Sequence, residues 1–155
     1  MRFDLPGFRS RTPVVSLGGA FVRYKPVLPL TVLGPTGQET RRVLLDSASD
    51  DIVFPLDLAT RLGMNLTAAP RRAAQGVGGT LPVSLWFAPV ILLLSDQVET
   101  CRWRAVVAFT PTPLRFPLFG IAGGLEYFRT TLDVADREIL LYAKPSLPVT
   151  QDPVP

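Results

Sequence analysis

The sequence predicts a mainly β domain with one or two short helices. Three observations carry that prediction. Sixteen prolines and twelve glycines in 155 residues break up any long helix, because proline removes a backbone donor and glycine gives up conformational entropy there. Leu81, Val83, Leu85 and Phe87 alternate with Pro82, Ser84 and Trp86, the two-residue period of a strand. Hydrophobic residues make up 47% of the chain and mean hydropathy is +0.28, enough apolar material for the core of one domain.

The elements follow in order. Residues 1–18 are polar and punctuated by glycine and proline, and read as an arm or loop. From Phe21 to Val32 two strand-like pieces flank Pro26 and Pro29, whose missing N–H suits an edge or a bend. Gly34-Pro35-Thr36-Gly37 is a turn between extended segments, so a hairpin is expected. Thr40 to Leu45 then runs as a strand into Asp46, and Asp51 to Phe54 resumes the extended pattern. Pro55 opens a short helix that Gly63 closes. Ala68 to Gly79 is loop-like, and a strand is expected from Thr80 to Leu94. Val98 to Phe109 alternates again. A short helix is predicted over Ile121 to Phe128, then strands at Thr130–Val134 and Glu138–Tyr142. From Lys144 onward there are four prolines in twelve residues, a composition that predicts a disordered tail. With no repeat and no internal linker, the chain divides into an arm (1–18), one domain (19–143) and a tail (144–155).

Composition removes whole classes of chemistry. The chain has no histidine, which excludes Ser-His-Asp and Cys-His catalysis and any histidine-based zinc site. Cys101 is its single cysteine, so no intrachain disulfide and no four-cysteine metal site can form. No metal and no cofactor is expected. The net charge of +3 comes from scattered arginines; the densest pairs, Arg41–Arg42 and Arg71–Arg72, are too short for a nucleic-acid stripe. The N-terminal Met-Arg-Phe-Asp-Leu-Pro-Gly lacks the apolar run of a signal peptide. Leu85 to Leu94 is about half the length that spans a bilayer. A cytoplasmic protein, with neither nucleic acid nor membrane as partner, is the expectation.

Three features then stand in a fixed order. Val43-Leu44-Leu45-Asp46-Ser47-Ala48-Ser49-Asp50-Asp51 is an apolar strand ending in an acid, followed by small hydroxylated residues and two further acids. Gln75-Gly76-Val77-Gly78-Gly79-Thr80 heads the long alternating stretch. Pro117-Leu118-Phe119-Gly120 carries apolar residues into a glycine. Singly, each is an ordinary turn or packing motif. Together, from Pro29 to Tyr142, they resemble the retropepsin-like aspartic proteases: Asp46-Ser47-Ala48-Ser49 matches the catalytic triplet, Gly76 to Gly79 the flap, and Leu118-Phe119-Gly120 the late apolar-glycine segment. Ile52-Val53-Phe54-Pro55-Leu56 with Leu62-Gly63 resembles the small bacterial branch in particular.

The resemblance implies an acid-protease barrel with one lobe per chain, and an aspartic endopeptidase that works on extended peptide or protein substrates. Such chemistry needs two carboxylates close enough to share a proton and hold a water. The chain has only one Asp-Ser-small triplet, so the resemblance implies a homodimer with both Asp46 side chains on its twofold axis. It makes Asp46 and Ser47 the catalytic positions. Ala48, Asp50, Asp51, Gly76, Val77, Gly78 and Gly79 become the substrate-binding ones, and Val53, Val77 and Leu118 the pocket walls. Two positions depart from the family pattern: Ala48 stands where glycine is usual, and Ile121 where many relatives carry an arginine that ties down the acid after the triplet. Asp50 then needs Arg129 or Arg41 as a partner, or solvent. The alternative reading these departures leave is a retropepsin-fold domain that binds peptides or partners without cutting them.

Overall fold

The computed structural model describes residues 1–75 and 82–149. Its strands are β1 (Arg2–Asp4), β2 (Gly7–Val14), β3 (Ala20–Tyr24), β4 (Val27–Gly34), β5 (Gly37–Leu45), β6 (Val53–Pro55), β7 (Arg71–Ala74), β8 (Val83–Ser95), β9 (Thr100–Thr110), β10 (Leu118–Phe119), β11 (Phe128–Asp133) and β12 (Glu138–Ala143), with one helix, α1 (Leu56–Arg61). Six strands close on themselves in the order β4-β5-β10-β6-β9-β8 and back to β4, and β7 extends the sheet beyond β8. The result is a small barrel of mainly antiparallel strands, as the sequence predicts.

The prolines mark where strands change partners. β8 pairs along its whole length with β9. Its other edge meets β7 from Val83 to Trp86 and β4 from Ile91 to Leu93. Pro89 falls in the gap between those two partners, where no N–H is needed. Pro29 likewise precedes the part of β4, Thr31 to Leu33, that closes the barrel onto β8.

The two faces of β8 serve two apolar clusters. Ala88, Val90, Leu92 and Leu94 face the main core with Trp103, Val107 and Phe109 of β9. Leu85 faces the other way, into a smaller cluster with Val53 and Ala108, against which Val83 and Phe87 also pack. One face of Leu85 to Leu94 thus feeds the main core along its length, while the other is covered at Leu85 and Phe87 and half-buried at Ile91 and Leu93. Trp103 sits at the centre, fully buried, with its ring edge-on to Phe128 and Phe119 at 5.6 and 6.4 Å between centroids. Its indole N–H donates to the Gly123 carbonyl at 2.8 Å, which satisfies the one polar atom such a ring brings inside.

The helix α1 follows Pro55 and ends at Arg61, with Leu62 as its cap, after which Gly63 takes φ = 69°. A side chain there would strike Thr36, so glycine is required both for the left-handed turn and for space. The short helix predicted over Ile121 to Phe128 is a single 3₁₀ turn, Leu125–Tyr127.

Both ends of the chain carry more structure than their composition announces. Within residues 1–18, β1 pairs with β12, and Arg2 donates its backbone N–H to Asp96 at 2.7 Å. That carboxylate also accepts the Glu99 and Val98 N–H groups. Led by the Glu99 bond and then the Arg2 bond, these donors hold its pKa down at about 2, because each favours the charged form. β2 and β3 form a separate two-stranded ribbon with exposed Phe21 and Val22. In the proline-rich tail, Leu147 is buried against the barrel, and Val149, its side chain exposed, makes an isolated backbone bridge to Trp103. Among the described residues no helix is long and apolar enough to cross a membrane. Cys101 is a half-buried residue of β9 with a free thiol, whose pKa burial pushes up.

Candidate active site

The loop from Asp46 to Ile52 joins β5 to β6, and β10 is inserted between those two strands, parallel to β5 and antiparallel to β6. The segment after β10 therefore runs directly across the loop. Asp46 donates its N–H to the Phe119 carbonyl at 3.1 Å, and Ile121 and Ala122 donate theirs to the Ser49 and Asp50 carbonyls at 2.9 and 2.8 Å. Gly120 explains how the two backbones come so close. A Cβ there would collide with the Asp51 carbonyl oxygen and lie 2.6 Å from that of Ser49. Nothing larger than hydrogen fits.

The same loop fixes the Asp46 side chain. Its Oδ1 accepts the Ala48 N–H at 3.0 Å, an Asx turn, while its carbonyl accepts the Ser49 N–H at 3.2 Å. The carboxylate is half-buried, and Ser47 beside it is exposed. Ser49 turns its hydroxyl inward, to the Asp51 carbonyl at 2.8 Å.

Ala48 fits the loop without strain. Among the described residues only Gln97 and Arg137 are non-glycine positions with positive φ, so the backbone at Ala48 is one that alanine adopts freely. Ala48→Gly is therefore expected to lower stability by about 0.4–1 kcal/mol through the greater freedom of the unfolded chain. Urea unfolding of the two proteins checks this; a more stable glycine variant would show that the methyl group strains the turn.

Asp50 takes neither Arg129 nor Arg41 as a partner. It is exposed, and Arg41 is engaged by Glu39 at 2.6 Å and Asp57 at 4.0 Å. Of the two acids it is Asp51, with a side chain 18% exposed, that receives a cation: Arg72 of β7, 2.5 Å away. The Arg72 guanidinium lies 5.4 Å from the centroid of Phe87, a cation–π contact that holds it over the cleft. This residue is not singled out by the sequence, where Arg71–Arg72 reads only as a basic pair. Ile121 is 40% exposed and contributes its backbone rather than its side chain to the loop.

These groups line a cleft of about 410 Å³. Asp46, Ala48, Asp50 and Asp51 form its floor, Val53, Leu118, Leu85 and Val83 its apolar walls, and Arg72 one rim. Thr110, buried among the walls, donates no charge. Three carboxylates thus face one guanidinium. Two of the expected pocket walls, Val53 and Leu118, are in place; Val77 lies outside the described residues, as do Gly76, Gly78 and Gly79. β7 and β8, the strands before and after that glycine segment in the sequence, pair antiparallel, Arg71–Ala74 with Val83–Trp86. Among the described residues no cluster of three or more His, Cys, Asp or Glu side chains could hold a metal ion.

No family model matches the chain, and no curated protein does. Among solved structures the chain is similar to a retropepsin-like aspartic protease from Rickettsia conorii, at 17% identity and a TM-score of 0.52, over 90% of this chain and 98% of that one. It is also similar to the EIAV protease complexed with the inhibitor HBY-793, at 19% identity and a TM-score of 0.42, over 62% of this chain and 81% of that one. The chain has the retropepsin-like fold.

Proposed function

We propose that this chain is one subunit of a homodimeric aspartic endopeptidase in which the two Asp46 carboxylates, one from each copy, activate a water for peptide-bond hydrolysis. The observation that carries the reading is the placement of Asp46. The chain's single Asp-Ser-small turn lies on the floor of an apolar-walled cleft, its carboxylate oriented by the Ala48 N–H.

A single such carboxylate cannot act as acid and base in the same step. Two of them across a twofold axis share one proton, because like charges that close do not both ionise. The ionised Asp46 takes a proton from the water as its oxygen attacks the scissile carbonyl, and the protonated one gives its proton to the carbonyl oxygen. The carboxyl formed in the first step then protonates the departing amine as the C–N bond breaks, while the other Asp46, now ionised, takes a proton from one hydroxyl of the diol. This forms the carboxylic acid, releases both products and restores the shared proton. Ser47, exposed beside Asp46 in the single chain, would bond across the axis and hold the pair in register. The substrate would lie extended between the cleft floor and the glycine segment Gly76 to Gly79, bonded through its backbone. The glycines would let that segment approach closely and exclude water.

The test is cleavage of an unstructured polypeptide across about pH 3 to 7, the window in which such a dyad shares its proton, repeated over serial dilutions of the protein. Cleavage favoured at acid pH, with a specific rate that falls on dilution, is expected. A folded, self-associated protein that cuts nothing in that window would overturn the reading in favour of a peptide-binding domain that does not cleave, for which the exposed Asp50 and the apolar Ile121 are the supporting observations.

A further inference from the structure

Most arginines near the cleft have acidic partners: Arg41 has Glu39 and Asp57, Arg61 has Glu39 and Asp57, and Arg72 has Asp51. Three cations on the neighbouring surface do not. Lys25, Arg42 and Arg115 make no ion pair with any described carboxylate; they converge instead on two aromatic rings. Phe8 of β2 meets Phe116 edge-on at 5.3 Å between centroids. The Lys25 ammonium lies 5.8 Å from both rings, the Arg42 guanidinium 5.3 Å from Phe8 and the Arg115 guanidinium 5.9 Å from Phe116. Arg42 and Arg115 are exposed.

The rings hold these cations in place without neutralising them, so the surface keeps its positive charge. Arg42, Arg115 and Phe116 line a depression of about 420 Å³. Leu114 lines both this depression and the Asp46 cleft, so the two form one continuous surface. The cleft itself carries three carboxylates against one guanidinium. A chain passing from cleft to patch therefore crosses from negative to positive surface.

We infer that Lys25, Arg42 and Arg115 form an outer subsite for acidic residues of the polypeptide that occupies the cleft. This rests on the cleft being a peptide-binding one, as proposed above. Glu or Asp residues a few positions from the bound segment would be repelled by the cleft acids and received by the patch. That charge step fixes the direction and register in which the polypeptide enters, a role in which electrostatics contributes selectivity more than raw affinity. The Phe8 contribution also gives the β2–β3 ribbon a place in the site, since β2 supplies one of the two rings.

The test uses the Asp46→Asn protein, so that binding is read without cleavage, and two fluorescent peptides that share one apolar central segment. One peptide carries a flanking run of glutamates and the other serines at the same positions. Fluorescence anisotropy is expected to show the acidic peptide binding about tenfold more tightly at low salt. The preference should collapse in added salt, in Arg42→Gln/Arg115→Gln, and in Arg115→Glu, a single change in an exposed loop that spares the core. Equal binding of both peptides, or an acidic preference that survives these substitutions, would overturn the subsite while leaving the cleft intact. If neither peptide binds, the subsite falls. Cleavage by the unsubstituted protein then decides whether the endopeptidase reading falls with it.

Discussion

Asp46→Asn is expected to abolish peptide-bond cleavage while leaving the fold and the pairing of copies unchanged. The substitution keeps the size and shape of the side chain, and the amide oxygen still accepts the Ala48 N–H that the carboxylate accepts at 3.0 Å. The loop geometry, held by the Phe119, Ser49 and Asp50 carbonyls, should therefore persist. What disappears is the group that gains and loses a proton. Because the proposed site is symmetric, one substitution removes the acid and the base together. Proton transfer by a positioned side chain is worth about 10²–10⁴ in rate, so the loss should be at least about that large. Initial rates on an unstructured polypeptide, with circular dichroism and sedimentation of both proteins, provide the measurement. Equal rates from folded wild type and variant would mean that Asp46 takes no part in the reaction.

Gly120→Ala should have the largest effect on stability, about 2–4 kcal/mol, by forcing a methyl group into a packed contact. The atoms it would strike are the carbonyls of Asp51 and Ser49, which are backbone and cannot swing aside as a side chain would. Relief requires separating β10 from the Asp46 loop. That lengthens the bonds from Ile121 to Ser49 and from Ala122 to Asp50. Activity should consequently fall further than the fraction of unfolded protein accounts for. Urea unfolding and rates on the folded fraction separate the two effects. A midpoint within error of wild type would show that the crossing is looser than described.

The parts of this architecture visible in the sequence are those written locally. The strand from Thr40 to Leu45 ends in Asp46 with alternating Val43 and Leu45, and both are buried in the core. Proline and glycine bracket α1 where the structure begins and ends it. The features that escape are made between distant residues or are too short to show a period. β10 has two residues, and its position between β5 and β6 is decided by pairing alone. The Asp51–Arg72 pair joins residues 21 positions apart, while the sequence draws attention to Asp50, the acid after the triplet, which takes the solvent option rather than Arg41 or Arg129. β2 carries arginine, serine and glycine where an apolar alternation would have announced a strand, whereas its partner β3 is the strand-like piece expected from Phe21. Leu147 looks like part of a proline-rich coil until the barrel offers it a wall.

The pairing of β1 with β12 also sets the order of events in the life of the chain. Arg2 lies opposite Leu140, so β1 has no partner in its sheet until β12, more than a hundred residues later, has been synthesised. Residues 2–4 must wait through the making of the barrel, and their sheet can form only after β11 and β12 have emerged. Contacts of such long sequence separation close slowly, since the entropy of the intervening loop is lost before they are made. Refolding should accordingly show the barrel forming ahead of the β1–β12 sheet, and a polypeptide stalled before Glu138 would hold an unpaired N-terminal strand.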